Sequence, residues 1–264
     1  MKRNPKIFSP IVFVLLAPIA CSTFAPATAA PTAAPTPTSA PTSTAVPLYQ
    51  QVRLAAVPSE EDGQSPDHKI TAQTPTLNGS DDPRVQTFNK ETGDFVQGLI
   101  ADYKKNLAAM GTPPLAATSY FDVRYALVSP PGNILSLKYQ TEGYIAGMAH
   151  PYHQIYSFTY DLEAGRDIAL GDLFLPNSNY LQTISTYCAA QLSTRDIDFK
   201  DFSGGADPTA DHYKNWNITP DGLMITFDEY QVAAYVAGPQ TVTVPYGELK
   251  SLTDPDGPLE PFVR

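Results

Sequence analysis

Two histidines, His150 and His153, have the spacing of a metal-binding pair. In a strand or loop, residues three apart point in opposite directions, and Pro151 blocks the helix that would bring the two rings onto one side. The sequence therefore predicts a polar loop that enters a strand, without a metal site, and nothing in it points to a cofactor. His68 and His212 lie in polar segments and are assigned no role.

Asp228 and Glu229 are adjacent carboxylates at a predicted strand end. General acid–base pairs usually come from separate elements that face one cleft, whereas neighbours on a strand diverge, so we expect a solvated loop here. Cys188 falls on the apolar face of a predicted helix with no histidine or lysine nearby, and is expected to be buried and unreactive. No catalytic residue is predicted, because the sequence lacks the nucleophile elbow, the P-loop, the dinucleotide-binding glycines and the zinc-protease motif.

Tyrosine is the most informative residue type for binding, with 15 copies in the chain. Tyr156 and Tyr160 follow the alternation of a strand and are expected in a core. Tyr144 and Tyr152 flank a bend that contains His150, and tyrosine is favoured where a surface must be both apolar and hydrogen-bonding. The predicted partner-binding residues are therefore Tyr144, His150 and Tyr152.

The elements that position these residues follow from hydrophobic periodicity. Helices are predicted over residues 85–110, 180–192 and 246–252. Alternation predicts a hairpin over residues 120–140 and further strands over residues 152–162, 216–218, 223–227 and 241–244. Strands joined mostly by tight turns pair antiparallel, and helices then cover one face. The predicted class is α+β, with mainly antiparallel sheets and a few helices packed on one face.

The first residues have the features of an export signal. Lys2, Arg3 and Lys6 precede an apolar run over residues 7–20 that is too short to span a membrane. Cys21 follows Pro-Ile-Ala, which resembles a bacterial lipobox, although Leu is usual where this chain has proline. We therefore predict a signal peptide over residues 1–20 and a lipid anchor on Cys21. The alternative is ordinary cleavage after Ala29, which would remove Cys21 and leave a secreted protein.

The segment after Cys21 has the composition of a tether. Residues 22–47 are almost entirely Ala, Thr, Pro and Ser and carry no charge, so they cannot bury enough apolar surface to offset their ordering entropy. Residues 48–69 were expected to continue this linker or to form a loose lead-in strand. The sequence thus predicts a lipid-anchored, disordered linker over residues 21–69.

The formal charge of −10 limits the partners. Nucleic-acid binding needs a basic surface that releases counterions, and attachment to anionic lipid heads needs basic residues as well. We therefore predict no nucleic-acid partner and no membrane contact apart from the lipid. From residue 70 onward there are 12 Lys and Arg against 23 Asp and Glu, which leaves a basic protein as a candidate partner.

Six short motifs, in order, resemble a known family. They are Gly147–Tyr152, Tyr160–Arg166, Leu170–Phe174, Pro220–Leu223, Ala234–Pro239 and Val244–Leu249. Together they resemble the extracytoplasmic domain of RsiV-type anti-sigma factors, which also occurs in PdaC-type peptidoglycan deacetylases. Met148 is a departure, since the family usually has glycine there. The resemblance implies a smaller companion α+β domain over residues 70–142 and an RsiV-like α+β domain over residues 143–264.

What the resemblance implies about function is limited. The RsiV-type domain binds lysozyme and signals through a membrane helix that this sequence lacks, so the anti-sigma role does not transfer. In the PdaC type, the chemistry belongs to a separate deacetylase domain. The leading hypothesis is a lipid-anchored binding module of the cell envelope, with lysozyme as a candidate partner. The alternatives are a peptidoglycan-binding or wall-modifying accessory protein that uses Tyr144 and Tyr152 as stacking platforms, and a structural lipoprotein without a small ligand.

Overall fold

A six-stranded sheet and a three-stranded sheet make up the framework of the chain. The structure is a computed structural model that describes residues 46–111 and 117–263. The predicted signal peptide, Cys21 and almost all of the uncharged segment lie outside these described residues. The first sheet has the strand order β1-β2-β3-β4-β5-β6. Its strands are β1 Arg53–Gln64, β2 Asp67–Asn78, β3 Ser119–Leu127, β4 Ile134–Tyr144, β5 Tyr152–Asp161 and β6 Arg166–Asp167.

A 28-residue helix, α2 (Pro83–Met110), covers one face of this sheet and follows a single turn, α1 (Leu48–Gln51). The Asp82 side chain accepts a hydrogen bond from the Arg84 backbone N–H at 2.9 Å, and Gly111 with φ 71° ends the helix. Its apolar face packs against the sheet, as periodicity predicted, with Phe95 partly buried. The buried side chains of this face include Val85, Phe88, Val96, Ile100, Tyr103 and Leu107.

Of the two alternatives for residues 48–69, a continued linker or a lead-in strand, the structure has a strand, so the linker does not extend to residue 69. Residues 53–64 instead form a regular edge strand that pairs antiparallel with β2 along its whole length. Nearly every β1 side chain is exposed, so the strand needs no apolar residues and its sequence looks like a linker. Strand β2 lies inside the sheet and buries Ile70, Ala72 and Leu77 against the helix side. It pairs parallel with β3, whereas the other pairs of both sheets are antiparallel.

The second sheet is an antiparallel meander of β7 (Trp216–Thr219), β8 (Gly222–Phe227) and β9 (Gln240–Val244). Helix α3 (Tyr180–Leu192) packs against it through Ile184, Cys188 and Leu192. Three further short helices are α4 (Phe199–Phe202), α5 (Tyr246–Leu249) and α6 (Glu260–Val263). The predicted helices and strands of this region are present, and the α+β class is confirmed.

The two hydrophobic cores divide at a different point from the predicted boundary at residues 142 and 143. The first core includes Tyr160 and Leu162, and the second begins at Ile168. The division lies later because β4 and β5 pair over ten positions, from Ile134–Asp161 to Gly143–Tyr152. A boundary at residue 143 would separate these two paired strands.

The second sheet packs on the face of the first sheet that α2 leaves uncovered. The side-chain amide of Asn217 in β7 donates to Ser136 Oγ at 2.9 Å and to the Leu137 carbonyl at 3.0 Å. Ser157 Oγ donates to Asn217 Oδ1 at 3.1 Å. These bonds involve only the end of the β4–β5 pair nearer Ile134. At the other end of this face, Glu142 and His153 remain 45% and 41% exposed, although the segment between β8 and β9 borders them.

Candidate functional site

The strand register separates the side chains of β3, β4 and β5 into two faces. Phe121, Val123 and Tyr139 point into the core beneath α2. Their neighbours point the other way, and the cross-strand pairs Tyr120–Tyr144, Asp122–Glu142 and Glu142–His153 bring them together. We call this uncovered group the open face. It consists of Tyr120, Asp122, Glu142, Tyr144 and His153.

His153 lies between two carboxylates of the open face and its border. Its Nδ1 donates to Glu229 Oε1 at 2.8 Å, and its backbone N–H donates to Glu229 Oε2 at 3.3 Å. Its Nε2 is 3.8 Å from Glu142 Oε2. Glu229 is 10% exposed, whereas Glu142 is 45% exposed. Glu229 therefore fixes the imidazole, and Glu142 is available to a partner.

Tyr120 completes this row of side chains from the β3 side. Its hydroxyl donates to Glu142 Oε1 at 2.7 Å. That hydrogen bond, followed by burial and the nearby charges of Glu142 and Asp122, raises the pKa of Tyr120 to about 12. The phenol therefore stays protonated at neutral pH and holds one oxygen of Glu142 in place. A shallow cleft of about 250 Å³ lies beside this row and is lined by Asp122, Glu142 and His153, among others.

A cluster of aromatic rings borders the open face. Two of its rings, Tyr230 and Tyr235, belong to the segment between β8 and β9. The Tyr235 ring lies 4.1 Å from the His150 ring and 5.6 Å from the Tyr230 ring, measured between centroids. The Tyr235 hydroxyl donates to the Pro151 carbonyl at 2.9 Å, and partial burial with the charge of Glu229 raises its pKa. Tyr230 is 56% exposed. The bend at His150 is thus held by the segment that also supplies Glu229.

The three predicted partner-binding residues do not form one site. Tyr144 lies on the open face, with its ring 6.1 Å from that of Tyr120. His150 contacts Tyr235 at the border. Tyr152 lies on the opposite face, because it pairs with Gly143, the neighbour of Tyr144 in β4. A shared stacking platform of Tyr144 and Tyr152 is therefore ruled out by the register.

Sequence reasoning missed Glu142, Tyr120 and Glu229 as members of the site. Glu142 alternates with Tyr144 in one strand, so it could have been placed on the same face from the sequence. Asp228 and Glu229 do diverge, as expected for neighbours: Asp228 pairs with Lys214 at 3.1 Å, whereas Glu229 pairs with His153. That Glu229 meets a histidine 76 residues away has no local signal.

Other candidate chemistry is absent from the described part of the chain. Within residues 46–111 and 117–263, no group of three His, Cys, Asp or Glu side chains is arranged to hold a metal ion. Cys188 is fully buried, as predicted, and burial raises the pKa of its thiol to about 12. Among the described helices, none combines the length and apolar character needed to cross a membrane.

Residues 171–247 match the family model described as "Protein of unknown function (DUF3298)". Over 161 residues the chain is 23% identical to the peptidoglycan-N-acetylmuramic acid deacetylase PdaC of Bacillus subtilis (strain 168). That match covers 60% of this chain and 34% of PdaC, so the chain matches about a third of that relative's length.

Two solved DUF3298 structures share the fold at low sequence identity. The protein from Bacteroides fragilis superposes with a TM-score of 0.61 at 15% identity, over 81% of this chain and 97% of that one. The protein from Pseudomonas aeruginosa gives a TM-score of 0.51 at 14% identity, over 77% and 94%. The chain thus has the fold of solved DUF3298 proteins and matches that family's sequence pattern over residues 171–247.

Proposed function

We propose that this chain is a cell-wall-associated binding module that acts outside the cytoplasmic membrane and takes its partner on the open face. The observation that carries the proposal is the half-covered sheet face, where Glu142 and Asp122 lie beside Tyr120, Tyr144 and His153. The likeness to PdaC and the sequence resemblance to RsiV-type domains support the setting at the cell wall.

The chemistry of the open face favours a basic protein that also offers apolar and hydrogen-bonding contacts. Glu142 presents a half-exposed carboxylate oxygen that Tyr120 has already oriented, so little side-chain entropy is lost when a cation binds. Tyr144 and Tyr230 add rings that combine apolar area with a hydroxyl. The acidic excess of the chain attracts a basic partner over longer distances. Lysozyme, the partner implied by the RsiV-type resemblance, is the first candidate.

Surface plasmon resonance tests this partner, with the full-length chain immobilised and hen lysozyme in solution. We expect saturable binding whose association rate falls as salt rises, because salt screens the charges. Glu142→Gln should weaken binding by about tenfold, since it removes a charge at the centre of the face. Glu248→Gln, an equal change of charge at an exposed position on α5, is the matched control. Absence of saturable binding at low salt would show that lysozyme is not the partner.

Peptidoglycan is the second candidate partner, and the likeness to PdaC favours it. Co-sedimentation of the chain with purified peptidoglycan separates the two candidates, because no soluble lysozyme is present in that assay. We expect the chain to pellet with the polymer if the wall itself is the ligand. If neither lysozyme nor peptidoglycan binds, the proposal of a wall-binding module fails and a structural lipoprotein without these partners remains.

A further inference from the structure

A second cleft, of about 260 Å³, opens on the other side of the first sheet between α2 and the start of β5. We call it the α2–β5 cleft. Because the sheet separates it from the open face, it makes no use of Glu142, Tyr144 or His153. Its lining combines aromatic rings with polar side chains. The residues that matter below are Asp102, Tyr103, Asn106, Tyr152, Gln154 and Tyr156.

The floor of the cleft is a rigid aromatic pair. Tyr103 of α2 is buried and stacks on Phe121 of β3, with ring centroids 4.8 Å apart and planes 7° from parallel. The Tyr103 hydroxyl donates to the Tyr144 carbonyl at 3.3 Å. This side chain is therefore held from both ends, and the floor does not need to reorganise when a ligand binds.

The helix wall of the cleft is polar. Asp102 and Asn106 lie four residues apart on α2, so they are neighbours along one stripe of the helix. Both are exposed. Neither side chain makes a hydrogen bond to another described residue, although their positions at the rim put a carboxylate and an amide over the same opening. An acceptor and a donor are thus available side by side.

The strand wall supplies rings and a further amide. The Tyr156 hydroxyl donates to Gln154 Oε1 at 2.8 Å, which leaves the Gln154 Nε2 group as a donor for a ligand. The Tyr152 ring lies over Gly143, where a Cβ atom would come within 2.4 Å of it. Burial, with a smaller contribution from Tyr156, raises the pKa of Tyr152 to about 12, so its hydroxyl stays protonated at neutral pH. That hydroxyl also makes no hydrogen bond to another described residue.

We propose that the α2–β5 cleft binds one N-acetylhexosamine ring of a glycan. A pyranose ring has an apolar C–H face that suits aromatic side chains and a rim of hydroxyl groups that needs donors and acceptors. The acetamido group adds one N–H donor and one carbonyl acceptor. Asp102 fits the donor, and Asn106, Gln154 or Tyr152 fits the acceptor. A purely apolar ligand would leave these groups unpaired, and a strongly cationic ligand would find a single carboxylate among the six residues.

This second site extends the wall-associated role but does not depend on the open face. The two sites are on opposite faces of one sheet, so a side chain that lines one does not line the other, and Asn106→Ala on α2 changes the cleft without changing an open-face residue. A protein partner on the open face and a glycan ring in the α2–β5 cleft are compatible with each other.

The probe is chitotetraose, a soluble chain of four N-acetylglucosamine units, titrated into the full-length protein with isothermal calorimetry and amide NMR shifts. We expect saturable binding, with shift changes at residues 99–106 and 152–156. Asn106→Ala should weaken binding about tenfold through one lost hydrogen bond. Gly143→Ala should weaken it similarly, because the added methyl displaces the Tyr152 ring. Gln97→Ala, an exposed position on α2 outside the cleft, is the matched control.

Three results would overturn the inference. One is no saturable binding by the wild type, and another is wild-type affinity in both the Asn106→Ala and Gly143→Ala variants. The third is equal binding of cellotetraose, which lacks the acetamido group. Lysozyme binding that persists in any of these cases would leave the protein partner on the open face standing, since that assay does not use the cleft. Absence of lysozyme binding with chitotetraose binding retained would contradict the protein partner on the open face and leave the glycan site in the cleft standing.

Discussion

At His153, one imidazole joins a strand of the first sheet to the segment between β8 and β9. Glu229 accepts from both the ring and the backbone of this residue, and it is 10% exposed. Hydrogen bonds to a charged group in such a site are stronger than those at the surface. This contact therefore sets where the aromatic border of the open face lies.

Replacing Glu229 with alanine should loosen this border. We expect the free energy of unfolding to fall by about 2 kcal/mol, because two hydrogen bonds to a carboxylate are lost. Amide hydrogen exchange should speed up over residues 228–239 and at His150, whose ring contacts Tyr235. Glu248→Ala, at an exposed carboxylate, should change neither quantity. Unchanged exchange over residues 228–239 in Glu229→Ala would mean that the segment is held by other contacts.

Single residues were predictable from the sequence where the hydrophobic periodicity of one helix or strand decides whether they are buried. Tyr160 and Cys188 are fully buried, as their positions in the pattern predicted. That Tyr152 does not share a face with Tyr144 was not predictable, because the face that it occupies depends on the register between β4 and β5. That register is set by the bend between Tyr144 and Tyr152, and a shift of one residue would move every β5 side chain to the other face.

At the level of elements, the long helix α2 and helix α3 were predictable because each has a continuous apolar stripe. Helix α2 also has clear end signals in Asp82, Pro83 and Gly111. Strand β1 was predictable only as one of two alternatives, since an exposed edge strand carries no apolar alternation that distinguishes it from a linker. The parallel pairing of β2 with β3 was missed. This pairing joins two strands that lie on either side of α2 in the chain. The local sequence of β2 contains no information about which distant strand will pair with it.

Asn217 of β7 supplies the side-chain hydrogen bonds between the two sheets, beside the bond from the Ile218 backbone N–H to Ser136 Oγ at 3.1 Å. It is fully buried, and its amide bonds to Ser136, to the Leu137 carbonyl and to Ser157. Replacing it with alanine should lower the free energy of unfolding by about 3 kcal/mol, because several buried polar groups lose their partner. Urea unfolding measures this, with Asn78→Ala at an exposed position of β2 as the control. Equal stability of the two variants would show that the Asn217 side chain does not help to hold the sheets together.

At the scale of the whole molecule, the proposal needs the folded unit to be outside the cytoplasmic membrane. The acidic balance of the chain, with 27 Asp and Glu against 17 Lys and Arg, suits a module that meets a basic partner. The sequence also predicts how the module would be retained there, through Cys21 and the uncharged residues that follow it. Cys21 and almost all of these uncharged residues lie outside the described residues, so this part of the proposal rests on the sequence.

Phase separation in Triton X-114 tests the predicted anchor on Cys21. Acyl chains add about 0.8 kcal/mol for each buried methylene, and two or more chains hold a protein stably in a membrane or micelle. We therefore expect the wild-type chain, expressed in a bacterium that processes lipoproteins, to enter the detergent phase. Cys21→Ser should enter the aqueous phase or remain unprocessed. Cys188→Ala, which changes the buried cysteine of α3, should behave as the wild type. A wild-type chain in the aqueous phase that begins at Ala30 would show that the protein is secreted without a lipid.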